Sequence, residues 1–140
     1  MAGGAVLLAR AAEPERHELR LEELAEGNER VATTFAPSPI RPQDRSHYAT
    51  TLTHVGPEPL CVRRFAEYQK QGDRYALSTI TGSFFTADQF IAWYGAASDG
   101  WILPGASVCD PSNYGGRETL WAYFIELRSG RRLWAGAVVR

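Results

Sequence analysis

From residue 48 onward the chain alternates between apolar and polar positions. "YATTLTH" sets Tyr48, Thr50 and Leu52 on one side of a strand, because side chains two apart share a face of a pleated backbone. After the turn "GPEP", "LCVRRF" places Leu60, Val62 and Arg64 on one face and Cys61, Arg63 and Phe65 on the other. "QKQGD" is a turn centred on Gly72, and "RYALSTI" reads as the next strand. The clearest hairpin closes the chain: "LWAYFIEL", the turn "RSGRR", then "LWAGAVV". Ala135, Gly136 and Ala137 thin its second strand, which predicts a bulky side chain lying over them, Trp121 or Trp93.

One stretch changes period. In "FFTADQFIAWYG", Thr86 and Gln89 have capping-box spacing, and Phe85 and Phe90 have that of a hydrophobic staple. Gly95 supplies the left-handed stop. The spacing predicts a helix over residues 87–94, with Phe90, Trp93 and Tyr94 in one stripe. Beyond it come a short apolar piece at residues 101–103 and a strand "ASVCD" that ends in the turn-rich "DPSNYGG".

Upstream of residue 48 the pattern is mixed. "EPERHELRLEELAEGN" fits a helix from Pro14 to Ala25 with Leu21 and Leu24 on one face and Gly27-Asn28 as its stop. It also fits a strand in which His17, Leu19 and Leu21 alternate with Glu18, Arg20 and Glu22. The strand is preferred because a sheet protein follows. Gly27 and Asn28 then turn the chain into "VATTF", where Val31, Thr33 and Phe35 share a face. Three prolines in "APSPIRPQDRS" make it a connection. Residues 1–12 read as a disordered lead-in, and residues 13–140 as a single domain.

Seven to eight short strands and one short connecting helix predict an all-β fold, an antiparallel β-sandwich. The run "YATTLTHVGPEPLCVRRF", the Pro104-Gly105 pair ahead of a strand and the closing hairpin resemble immunoglobulin-like and fibronectin-like sandwich modules. The resemblance implies an immunoglobulin-like fold and carries no functional residue across. The paired cysteines and intervening tryptophan of antibody domains are not reproduced.

Charge narrows the functions. Fifteen basic against sixteen acidic residues leave a formal net charge of −1, so no general attraction to nucleic acid or to an anionic membrane follows. The apolar run at residues 5–8 is too short for a signal peptide, and no segment reaches the length of a membrane span. A cytoplasmic protein is expected. Cys61 and Cys109 read as buried free thiols, although the spacing leaves their pairing open.

No motif specifies a reaction. His47 and His54, seven residues apart at the two ends of one strand, point to opposite faces, and no metal site is expected. Asp110, Ser112 and Asn113 could offer oxygens to calcium, yet without EF-hand spacing they read as an Asx turn. "TGSFF" around Ser83 is not a G-x-S-x-G elbow, and phosphate-binding loops are missing. Glu58, Glu67, Glu118 and Glu126 all fit solvent-facing positions. Arg63, Arg64, Arg128, Arg131 and Arg132 read as a solvated set rather than a nucleic-acid surface.

No catalytic residue and no cofactor is therefore expected. The leading expectation is a non-catalytic module that binds a protein partner or forms a homo-oligomer, specifically through the terminal hairpin. The alternative is a carbohydrate or flat organic ligand held by Trp101, Tyr114 and Trp93. A small hydrolase with a site near His54, Asp99 and Asp110 is a third reading.

Overall fold

The computed structural model describes residues 13–25, 31–36, 48–78 and 83–140. Among these the strands are β1 (Glu18–Leu19), β2 (Val31–Ala36), β3 (Tyr48–His54), β4 (Leu60–Gln71) and β5 (Arg74–Leu77). They continue with β6 (Phe85–Thr86), β7 (Trp101–Ile102), β8 (Ser107–Asn113), β9 (Leu120–Leu127) and β10 (Arg132–Val138). One α-helix, α1 (Ala87–Tyr94), lies between β6 and β7. The larger sheet runs β1-β5-β4-β9-β10, with β6 and β7 also pairing with β4. The smaller runs β2-β3-β8. The pairings are antiparallel. Among the described residues no helix is long and apolar enough to cross a membrane.

β4 is the spine. Its twelve residues meet β9 along most of their length, with a register shift between Val62 and Arg64. An extra residue in one strand reverses the facing of everything after it. Phe65 therefore joins Leu60 and Val62 in one apolar cluster, whereas uninterrupted alternation would have put it on the face of Cys61.

β9 is buried on both sides. Trp121, Tyr123 and Ile125 face the smaller sheet and join its Val31, Tyr48 and Leu52, together with Phe90 and Tyr94 of α1. Leu120, Ala122 and Phe124 face the other way, into a second cluster with Leu19, Ala66, Tyr68, Tyr75 and Trp134. The N-terminal segment straps across that second face. Tyr68 Oη donates to the Arg16 carbonyl at 2.6 Å and Trp134 Nε1 to the Glu13 carbonyl at 2.8 Å.

The strand reading of residues 17–24 holds for Glu18–Leu19, where β1 pairs with β5, and the helix reading does not: only a 3-10 turn, Leu21–Glu23, follows. Helix α1 forms as the spacing predicts. Gln89 N donates to Thr86 Oγ1 at 3.2 Å, Thr86 N donates to Gln89 Oε1 at 2.8 Å, and Gly95 caps the end at φ 67°.

Several expectations need correction. "DPSN" is strand rather than turn, since β8 continues through Asn113. Pro111 is tolerated there because, among the described residues, β8 pairs only with β3 and its other edge carries no ladder. Cys61 and Cys109 are both free thiols, but Cys109 is exposed, not buried. The closest approach to Gly136 is made by backbone rather than by a side chain. A Cβ there would fall 2.3 Å from the backbone oxygen of Trp121, so the main chain of β9 itself requires the glycine. The lead-in at residues 1–12, the Gly27-Asn28 turn, the proline-rich connection at 37–46, His47 and the end of "RYALSTI" lie outside the described residues.

Candidate functional site

The bulge in β4 aims one more side chain at the space between the sheets. Glu67, in register with Trp121, follows Phe65 onto the inner face. It is 2% exposed, against the expectation that it faces solvent. Its carboxylate receives a hydrogen bond from Ser78, while Oε1 has no hydrogen-bond partner. Buried carboxylates are ordinarily paired or fully hydrogen-bonded. Glu67 is neither.

Other polar groups converge on it. A Cβ placed on Gly115 would lie 2.6 Å from Glu67 Oε2, 3.2 Å from Thr119 Cγ2 and 3.3 Å from Tyr48 Oη. The chain can approach this closely only because Gly115 lacks a side chain and adopts φ 112°. Tyr48 Oη donates to the Tyr114 carbonyl at 2.5 Å and accepts from Trp121 Nε1 at 3.1 Å. Asn113 Nδ2 donates to Thr50 Oγ1 at 2.7 Å, and the hydroxyls of Tyr94 and Tyr123 share a 2.6 Å bond.

Electrostatically the cluster is acidic throughout. Burial pushes the Glu67 carboxyl up, opposed by the Ser78 bond. Burial raises Asp110 as well, opposed by the Ser112 backbone N–H. The Tyr48 phenol is raised by burial, opposed by Trp121, and raised further by the charges of Glu67 and Asp110. Burial also raises Tyr114, and both carboxylates add to it. Among the described residues no lysine or arginine bears on the titration of Glu67, Asp110, Tyr48, Tyr114, Tyr94 or Tyr123.

Aromatic rings wall the cluster. Phe65 meets Trp93 edge-on at 5.5 Å, Phe85 lies 4.8 Å from Trp93, and Tyr114 meets Trp121 edge-on at 5.6 Å. Phe85, Trp93 and Tyr114 are only partly buried, so this wall reaches the surface.

The three aromatics expected to hold a ligand are thus divided. Trp93 and Tyr114 belong to this wall. Trp101 pairs with Cys61, in register with Glu126, on the opposite face of β4 from Leu60 and Ile102. There the Arg128 guanidinium sits 4.4 Å over its ring. Arg63 and Arg132 share the nearby Glu126 carboxylate.

His54 and Asp110 are not brought together. Asp110 stands opposite Thr50 on β3, and His54 lies four residues further along, about 13 Å away at strand rise. His54 is buried and shapes its own turn: Nδ1 accepts from Gly56 N at 3.1 Å and Nε2 bonds the Glu58 carbonyl. Asp99 accepts from Trp101 N at 3.0 Å. Asp110 forms the expected Asx turn, accepting from Ser112 N at 3.1 Å. Among the described residues no group of three or more histidine, cysteine, aspartate or glutamate side chains could hold a metal ion.

Sequence reasoning missed Glu67. The one signal was its position two residues after Phe65 on the same strand. The bulge that turns both inward leaves no mark in the alternation. No protein-family model matches the chain, and no curated protein matches it.

Proposed function

We propose that the protein binds a small organic ligand between its two sheets, with Glu67 as the polar anchor and Phe85, Trp93 and Tyr114 as the wall. The carrying observation is the buried Glu67 carboxylate whose Oε1 lacks a partner. A folded chain gives up roughly 1–3 kcal/mol for such a group, and a ligand that donates to it recovers that loss. The scaffold in this reading is a two-sheet sandwich of the immunoglobulin-like kind, supported by the apolar cluster the two antiparallel sheets share.

Tryptophan fluorescence tests the reading, because Trp93 and Trp121 flank the cluster. Titration with small aromatic compounds and with sugars should give a saturable change that Tyr114→Ala weakens. A response indifferent to Tyr114→Ala and Trp93→Ala would place binding elsewhere.

Association with a protein partner or a second copy is the second reading. Val55 and Leu103 favour it, being large apolar side chains 54% and 59% exposed. Their loops are tied together by the bond from Gly105 N to the His54 carbonyl. The terminal hairpin is less open, since Ala25 N donates to the Trp134 carbonyl of β10. Light scattering that finds only monomer at micromolar concentration would count against self-association.

A further inference from the structure

We infer that the ligand is an organic ammonium, its N–H donating to Glu67 Oε1 and its apolar body lying against Trp93, Phe85 and Tyr114. The inference rests on the ligand-binding reading above and adds the charge. Two carboxylates, Glu67 and Asp110, both act on Tyr48, and no cationic side chain among the described residues answers them. Glu67 is 2% exposed and Oε1 accepts nothing. A buried anion without a counter-charge is stabilised most by a cation that also donates a hydrogen bond. The surroundings select among cations. Rings at Phe65, Phe85, Trp93, Trp121 and Tyr114 stand around the cluster, and aromatic faces attract an ammonium. A hard metal ion instead needs six or more oxygens, and the described residues bring no third acidic, cysteine or histidine ligand to this place. A neutral sugar would satisfy Oε1 but leave the charge unanswered.

The test is a charge series on one skeleton, read by tryptophan fluorescence on the full chain near neutral pH: 2-phenylethylamine, 2-phenylethanol and 3-phenylpropionate, with calcium chloride alongside. The amine should bind at least about tenfold more tightly than the alcohol, as a hydrogen bond to a charged group allows. The propionate should bind most weakly and calcium not at all. Glu67→Gln should abolish the preference for the amine over the alcohol. If a melting curve shows Glu67→Gln unfolded, the series on the wild-type chain decides alone. Equal affinity for amine and alcohol, tightest binding of the propionate, or saturable calcium binding overturns the ammonium and leaves the ligand site standing. No response to any of the three aromatic compounds overturns both.

Discussion

Burial makes the Glu67 carboxyl hold its proton more tightly than the ordinary glutamate value of 4.5, so between the two values the folded chain carries a proton that the unfolded chain has released. The stability this adds is fully present below the ordinary value and is lost as pH rises through the raised one. Among the described residues, only the Ser78 hydrogen bond opposes the effect of burial. Glu67→Gln, which removes the charge and keeps the shape, should therefore raise the melting temperature. The gain should correspond to about 1–3 kcal/mol near neutrality and shrink toward pH 4, as paired thermal melts would show. A gain that grew as pH fell would reverse the sign and refute the burial of an unpaired charge. Gly136→Ala acts in the opposite direction. Its Cβ would meet the Trp121 carbonyl oxygen at 2.3 Å and the Ala122 Cα at 2.9 Å, and neither backbone atom can rotate aside. Chemical denaturation should show a loss at or beyond the upper end of the roughly 1–3 kcal/mol that overpacking costs. Composition pointed to Gly136 and to Trp121 as one candidate neighbour, and Trp121 does make the close approach, through its backbone: the run Ala135, Gly136, Ala137 signals a close approach without saying whether side chain or backbone makes it.

Local chemistry decided which elements could be read in advance. Helix α1 was legible because its cap, its stop and its stripe are all written within ten residues, and each device acts on near neighbours. Thr86→Ala should cost about 1 kcal/mol, measurable by urea denaturation, and should leave the strands intact. The closing hairpin was legible for the same reason, and β9 pairs with β10 in unbroken register from Leu120 to Glu126. The bulge in β4 was not legible. It exists to fit β4 to β9, some sixty residues away in sequence, and no short window records that fit. β8 failed in a related way: Pro111 and the Asx turn at Asp110 are genuine turn chemistry, yet pairing with β3 carries the strand through them. Where tertiary pairing and turn propensity conflict, pairing prevails.

Across the molecule, the larger sheet is covered on both faces, by the smaller sheet with α1 on one side and by the N-terminal strap on the other. Tyr68 to Arg16 and Trp134 to Glu13 are among the bonds that hold the strap, beside the pairing of β1 with β5. Tyr68→Phe should weaken the protein by about 1 kcal/mol and accelerate proteolytic cleavage within residues 13–19, as mass spectrometry of timed digests would reveal. Unchanged cleavage would mean that the Tyr68 bond does not help to hold the strap. On the opposite face the same sheet encloses the acidic cluster, and the proposed ligand gives that enclosure a use. The most direct measurement is the carbon-13 resonance of the Glu67 side-chain carboxyl, followed through a pH titration with and without 2-phenylethylamine. The account predicts a midpoint above 4.5 in the free protein that falls when the amine is added. A Glu67 resonance that titrates with the exposed glutamates and ignores the amine would contradict it.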